Sequence, residues 1–184
     1  MTLLVLLGVT VAFAGLISLV TSPVAALLGD SRYAIPDALH GVTAILYVIT
    51  ATISAYLAYR LFFNRLEDLR DLRVIASLNA CLSLLTVIFG NWIYIYYRDK
   101  GGPRGYFLET RPVIHEIFFE FKEFIALFTL PMFLTATYIL WRYGKPIVGH
   151  REARAVPSIL ILLGFAFLLI AYVLGAAITK LRGV

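Results

Sequence analysis

The chain has 184 residues, of which 61% are apolar and 15% are charged, and its mean hydropathy is +0.88. Soluble domains are about 45–50% apolar and about 25% charged, so this composition excludes an ordinary soluble domain. Apolar runs of about 18 residues or more recur along the chain, which indicates an integral membrane protein in a lipid bilayer. The formal net charge of +5 is spread over the loops without a basic block. This distribution favours contact with anionic lipid headgroups and argues against nucleic-acid binding.

Two further features of the composition bear on chemistry and source. Cys81 is the single cysteine of the sequence, so neither a disulfide nor a thiol cluster for zinc or iron–sulfur is expected. Glutamine is absent, and methionine and asparagine are scarce. A shortage of these thermolabile residues is typical of proteins from thermophiles, and we therefore predict a thermophilic source.

Five apolar segments predict an all-α integral membrane protein, a single domain in which about five transmembrane helices form a bundle. In chain order, the predicted spans cover about residues 3–28, 37–61, 74–97, 113–141 and 156–179. The first 29 residues carry no charged side chain and lack the basic region of a secretory signal peptide, which predicts a retained first span. Pro36, Pro112 and Pro157 stand at or near span starts, where proline is tolerated because its missing N–H has no helical partner to lose. The segments between the spans are predicted to be loops.

The arginine distribution predicts the orientation in the membrane. The first loop contains Arg32, whereas the second, counted with its flanking residues, contains Arg60, Arg65, Arg70 and Arg73. Cytoplasmic loops carry an excess of Lys and Arg, so the second loop is predicted to be cytoplasmic. For a chain of five spans, the N-terminus is then in the cytoplasm and the C-terminus lies outside the cell (plasma) membrane.

His40 lies near the start of the second span and defines one face of that helix. At 100° per residue, the residues within about 60° of it are small or polar. They are Thr43, Ala44, Tyr47, Ala51, Ser54 and Ala58. Small residues on one face are typical of a close helix–helix contact in lipid. The same face also fits a histidine above a groove that admits a flat cofactor, and the sequence leaves both interpretations open.

The third span carries a polar stripe. Asn79, Ser83, Thr86 and Gly90 recur at i, i+4, i+7 and i+11, which predicts hydrogen bonds to neighbouring helices. The span ends in NWIYIYYR, whose aromatic residues are typical of a membrane interface.

The fourth span begins with charged residues, in the stretch RPVIHEIFFEFKEF. At helical spacing, Glu116, Glu120 and Glu123 form one stripe and His115 and Lys122 the adjoining one, while the opposite arc is apolar and is predicted to face lipid. The whole span would extend about 43 Å as a helix, whereas the hydrocarbon core is about 30 Å thick. The charged turns are therefore expected at the membrane interface, either as a simple extension of the helix or as part of a site.

The second and fourth spans run in the same direction, so His40 and His115 are expected at the same membrane face. A b-type haem takes two axial imidazoles from different helices of a bundle, and its propionates need cations at the membrane edge. We therefore predict one haem b whose iron is bound by His40 and His115, in a pocket lined by Tyr47. The cations predicted to pair with the propionates are Arg32, Arg104 and Arg111.

Three other functions use the same residues. A non-haem metal site would combine His40 and His115 with Asp37, Glu116 and Glu120, because mixed imidazole and carboxylate ligands suit iron, manganese or zinc. The Glu-x-x-His spacing of di-iron bundles is absent from the sequence, which counts against such a site. A cofactor-free accessory subunit of a membrane complex would use the charged residues as a contact surface, and a transporter would use them as a proton path.

Electron transfer is the function that the sequence favours. In this prediction the chain is a cytochrome b-like subunit of a membrane oxidoreductase, and it exchanges electrons with a quinone or with other redox subunits. The protein ligates the haem and tunes its potential, while the iron carries the electron. No nucleotide-binding loop, nucleophile elbow or HExxH pair is present, so the chemistry of soluble enzymes is not expected.

Overall fold

The computed structural model describes residues 3–21 and 33–181, with side chains over 3–15 and 33–181. These residues are largely helical and contain no strand. The α-helices are α1 (Leu3–Thr21), α2 (Ala34–Phe62), α3 (Arg70–Tyr97), α4 (Pro103–Thr110), α5 (Glu120–Tyr143), α6 (Pro146–Gly149) and α7 (Arg151–Leu181). A π-helical segment, Ile114–Phe119, leads directly into α5.

Four helices are long and apolar enough to cross a membrane: α2, α3, α5 together with the π-helical segment, and α7. They correspond to the second to fifth predicted spans, so the prediction of an all-α bundle of apolar helices is confirmed for these four. The first predicted span, residues 3–28, is different. Its helix α1 is described only to Thr21, its apolar part Leu3–Gly15 is shorter than a span, and residues 22–28 lie outside the described residues. A fifth span therefore stays a prediction.

The four long helices form a bundle in which α2 and α5 share the same two neighbours, α3 and α7. The first helix packs on the outside of this bundle, against α2 and α3. Burial along α2 follows the predicted facing, because Tyr47, Ala51 and Ala58 are at most 1% exposed while Ile45 and Ile49 are 46% and 43% exposed. The small-residue face of α2 thus points into the bundle.

The polar stripe on α3 makes the predicted hydrogen bonds between helices. The Asn79 side chain accepts a hydrogen bond from the Thr50 hydroxyl and donates one to Ser54 Oγ at 2.8 Å, so it ties α3 to two positions on α2. Ser83 Oγ lies 3.1 Å from Thr129 Oγ1 on α5. These groups are almost fully buried, and each hydrogen bond pairs polar atoms that would otherwise be unsatisfied in an apolar environment.

At the end of the bundle where α2 and α5 terminate, arginine side chains satisfy main-chain carbonyls. Arg73 donates to the carbonyl of Leu140 at 2.8 Å, and Arg154 donates to that of Phe62 at 3.3 Å. The last carbonyls of a helix have no partner within the helix, so such bonds fasten α5 to α3 and α2 to α7. Gly144 ends α5 with φ of +60°, and a Cβ there would lie 2.6 Å from Arg73 Nη2.

Two sequence predictions on the loops are wrong. The region 98–112, predicted to be a loop, contains the helix α4, which begins with Pro103 at its first position and buries Phe107 completely. The last long helix begins at Arg151, five residues before the predicted start, so Pro157 lies inside α7. Short helical turns of this kind depend on packing against the rest of the fold, here Phe107 against Tyr97, more than on an apolar period.

Candidate functional site: a cavity between the four long helices

A cavity of about 770 Å³ lies between α2, α3, α5 and α7, at the end where α2 and α5 begin. Sites for small-molecule ligands commonly measure about 300–1,000 Å³. Its middle is walled by small residues from all four helices: Gly41, Ala44, Gly90, Ala126 and Ala171. The small-residue face of α2 therefore has two roles. Its first part lines a cavity, and its later part, from Ala51 to Ala58, packs against neighbouring helices.

Charged side chains line the outer end of the cavity, which we call the mouth. Three are cations and three are carboxylates: Arg98, Lys122, Lys180, Asp37, Glu120 and Glu123. Arg98 and Lys180 follow or end α3 and α7, where a positive charge also complements the helix dipole. Lys122 Nζ lies 5.5 Å from the centre of the Phe119 ring. The mouth thus offers cations and carboxylates to the polar end of an amphiphilic ligand.

His40 lines the cavity between the mouth and its inner end. Its Nδ1 lies 3.0 Å from the carbonyl oxygen of Thr86 on α3. A carbonyl only accepts, so Nδ1 carries the proton and Nε2 of the neutral ring has the free lone pair. Gly90 lies against the same ring, because a Cβ at that position would be 3.1 Å from His40 Cε1. The ring is therefore fixed in orientation, with Nε2 as the nitrogen left for a ligand.

Three hydroxyl groups line the inner end of the cavity: Tyr47, Ser83 and Thr129. They come from α2, α3 and α5, and each residue is at most 2% exposed. Along α2, the ten residues from Asp37 to Tyr47 correspond to about 15 Å of helix. The cavity thus runs from a charged mouth to a buried hydroxyl-lined end, with His40 between them.

His115 lies beside the cavity and does not belong to the residues that line it. It is 5% exposed, and its Nδ1 is 2.9 Å from the Tyr97 hydroxyl. Arg104 donates to its Nε2 at 3.3 Å, and Glu120 Oε1 is 3.8 Å from the same nitrogen. Both ring nitrogens therefore contact other side chains, in contrast to His40.

The π-helical segment changes the register that the sequence predicted around His115. A regular α-helix would align His115 with Phe119 and Lys122 on one stripe, whereas the wider turn of a π-helix rotates the residues that precede it. Phe119 and Lys122 line the cavity, while His115 is turned towards α4. The Phe119 ring stacks on Tyr97 with centroids 4.2 Å apart, and these two rings stand between His115 and the cavity.

The remaining predicted site residues are scattered. Arg104 contacts His115, and Arg111 and Glu116 are exposed and do not line the cavity. Asp37 and Glu120 line the mouth, and Arg32 lies outside the described residues. Over residues 3–21 and 33–181, no three His, Cys, Asp or Glu side chains form a group that could hold a metal ion. The five residues predicted for a non-haem metal site are thus not brought together in the described part of the chain.

Sequence reasoning missed the cations that do line the cavity, Arg98 and Lys180, and the partner of His115, Tyr97. Arg98 and Tyr97 stand in the aromatic end of the third span, which the sequence places at the same membrane face as His40 and His115 without marking either residue as part of the site. Lys180 follows the last predicted span by one residue, and only the packing of α7 against α2 and α5 brings it to the mouth.

Comparison with known proteins found no matching family model, no related curated protein and no similar solved structure. The chemistry of the site therefore follows from its own geometry. His40, whose ring is oriented by the Thr86 carbonyl, lines a cavity that has a charged mouth, small-residue walls and a hydroxyl-lined inner end. Such a site suits a flat amphiphilic ligand that accepts a lone pair from His40.

Proposed function

We propose that the chain is an electron-transfer subunit of the cell membrane that binds one b-type haem in the cavity, with His40 as an axial ligand. The observation that carries this proposal is the orientation of the His40 ring, whose Nδ1 is held by the Thr86 carbonyl while Nε2 remains for a ligand. Metal-binding histidines almost always donate their other ring N–H to a carbonyl, carboxylate or water. When bound, haem supplies the one-electron chemistry.

The shape and charge of the cavity support a haem. Gly41, Ala44 and Ala126 leave room between the helices for a flat ring system. Arg98 and Lys180 at the mouth are suited to pair with the two propionates, in place of the arginines predicted from the sequence. The protein would thus hold the ring in an apolar slot and its carboxylates near water, which is the arrangement that an amphiphilic cofactor needs.

The second axial ligand is His115 in the form of the proposal that comes from the sequence. In that form, His115 would have to lose its contacts with Tyr97 and Arg104 in order to bind the iron. The proposed roles of His40 and His115 can therefore be tested separately. His40 is already oriented towards the cavity, whereas His115 requires a change of side-chain position.

The wider setting of the proposal is a five-span chain in the plasma membrane, with its N-terminus in the cytoplasm. The haem exchanges electrons with a quinone or with another redox subunit near the mouth. If no cofactor binds, the runner-up is an accessory subunit in which the charged mouth contacts another protein. The charged groups Glu120, Lys122 and Glu123 at the mouth are compatible with either partner.

A dithionite-reduced minus oxidised spectrum of detergent-purified protein, expressed with sufficient haem, tests the proposal. We expect a low-spin b-type α-band at about one haem per chain. His40→Ala should abolish the band, and His150→Ala, in the segment between α6 and α7 and remote from the cavity, should leave it unchanged. In the bis-histidine form, His115→Ala should abolish the band as well; if it keeps the band while His40→Ala loses it, the bis-histidine form is rejected and His40 is kept. A flat spectrum from folded wild-type protein would reject haem binding.

A further inference from the structure

The inner end of the cavity contains a hydroxyl group that the proposed function does not use. Tyr47 is 1% exposed, lines the cavity, and its hydroxyl oxygen has no hydrogen-bond partner among the described residues. Its ring is fixed by an edge contact with Phe133, with centroids 5.5 Å apart. Buried hydroxyl groups in native proteins are almost always hydrogen-bonded, so an unpartnered one indicates a missing partner.

The protons of the two neighbouring hydroxyls are already committed. Thr129 donates to the carbonyl of Ala126 at 2.7 Å. Since a hydroxyl has one proton, the 3.1 Å contact between Ser83 and Thr129 must be a bond that Ser83 donates and Thr129 accepts. Both of these protons are used within the protein, whereas the Tyr47 O–H makes no hydrogen bond to the described residues and is left to donate to a ligand.

We infer that the inner end of the cavity binds a carbonyl oxygen of the ligand, which accepts a hydrogen bond from Tyr47. A carbonyl supplies acceptors and no further proton, which matches a site with one donor in excess. Two ligands of a redox membrane protein carry such an oxygen at a ring edge: a haem with a formyl substituent, and a quinone. The inference rests on the proposed function only in that the ligand occupies this cavity.

A formyl haem has the right distribution of polar groups for the whole cavity. Its propionates lie on one edge and its formyl oxygen lies on another, while the charged mouth and Tyr47 are separated by about 15 Å of helix along α2. Protohaem, the b-type haem of the proposed function, has only apolar substituents away from its propionates and offers Tyr47 no acceptor. Either haem would occupy the cavity, and the formyl derivative is expected to bind more tightly.

Competitive binding of two haems tests this selection. Apoprotein is titrated with protohaem and with a derivative in which a formyl group replaces one vinyl group. Wild type should bind the formyl haem about tenfold more tightly, the ratio expected of one net hydrogen bond in a buried site. Tyr47→Phe should reduce the ratio to about one, and the formyl C=O stretch in the resonance Raman spectrum should rise to its unbonded frequency. Tyr56→Phe, at an exposed tyrosine of the same helix that does not line the cavity, is the matched control.

A second titration identifies a quinone as the source of the carbonyl. The probe is a benzoquinone with a ten-carbon tail, added to apoprotein in detergent. If wild type binds it about tenfold more tightly than Tyr47→Phe does, and neither haem binds, the inference stands while haem binding as the proposed function fails.

If haem binds but Tyr47→Phe alters no affinity and no C=O frequency, the inference is wrong and the proposed function stands. The Tyr47 hydroxyl then bonds only to Ser83 or to a water. Because the substitution removes one oxygen and no carbon, folding of the variant is expected to be preserved. Its circular dichroism and elution volume provide the check.

Discussion

Gly90 sets how closely α3 approaches the imidazole of His40. A Cβ at position 90 would lie 3.1 Å from Cε1 and 3.3 Å from Nδ1 of that ring, in the region where Nδ1 meets the Thr86 carbonyl. Contacts this short require the ring to move, and the hydrogen bond that orients it would lengthen. The orientation of His40, the proposed iron ligand, therefore depends on Gly90, a residue that has no side chain.

Gly90→Ala should lower the affinity for haem by about tenfold or more, because disturbing the group that orients a ligating histidine typically costs 10- to 100-fold in metal affinity. Haem titration of apoprotein measures the effect. The control is Gly105→Ala in α4, where a Cβ would meet nothing within 4 Å. Equal affinities for the two variants would contradict the proposed role of the Thr86 bond.

Asn79 is the residue through which α3 holds α2. It is fully buried and bonded to Thr50 and Ser54, so replacing it by alanine leaves both hydroxyls without this partner. We expect Asn79→Ala to lower the free energy of unfolding by about 1–2 kcal/mol, the range for buried and intramembrane hydrogen bonds. Unfolding in mixed micelles with increasing SDS measures it. Asn91→Ala, at an exposed position of α3, should change it by less than about 0.5 kcal/mol.

Sequence spacing placed His40 and Tyr47 correctly on one inward face, because α2 is a regular helix and 100° per residue holds along it. The same rule failed at His115, because the π-helical segment begins there and no periodicity announces it. Lys180 at the mouth was also out of reach, although the sequence marked Lys122. Which residues meet at the ends of four helices depends on their packing, and that is not encoded in any one of them.

At the scale of elements, the turn after α5 is tightly constrained. Gly144 has φ of +60°, in the region that favours glycine, and its position faces the Arg73 guanidinium. Arg73 in turn bonds the Leu140 carbonyl and lies over the Trp141 ring at 5.5 Å. Arg73 therefore attaches the end of α5 to the start of α3.

Gly144→Ala should destabilise the protein by about 1–3 kcal/mol, because a side chain is strained at this φ and would displace the guanidinium. The loss should appear as a lower midpoint in SDS unfolding. Gly149→Ala is the comparison, since a Cβ there meets nothing within 4 Å and the backbone has no positive φ. A similar midpoint for both variants would mean that the Arg73 contact does not constrain the turn.

At the scale of the molecule, the four long helices alternate in direction. The N-terminal ends of α2 and α5 therefore share one face with the C-terminal ends of α3 and α7. Composition alone was sufficient to predict these four helices, since long apolar runs have few alternatives in lipid. Whether the first apolar segment also spans the membrane stays a prediction, since α1 is described only in part.

Reporter fusions determine the topology. With α2, α3, α5 and α7 in the membrane, a fusion at the C-terminus should report the side opposite to one inserted at Asn64, and the excess of arginine predicts that the Asn64 site is cytoplasmic. A tag at the N-terminus reports on α1. It shares the side of Asn64 if α1 spans, and the side of the C-terminus if α1 does not. The same side for Asn64 and the C-terminus would contradict the four-helix arrangement.

The arginines that fasten α5 to α3 and α2 to α7 leave the two ends of the bundle unequal. One end has its helix carbonyls tied to Arg73 and Arg154, and the other contains the cavity and its mouth. Separation of the helices is thus expected to be easiest at the mouth, and the proposed ligand is expected to enter there. In the five-span orientation the mouth faces away from the cytoplasm. A haem made inside the cell would then have to be exported before this subunit could mature, and assembly would depend on a delivery step outside the membrane.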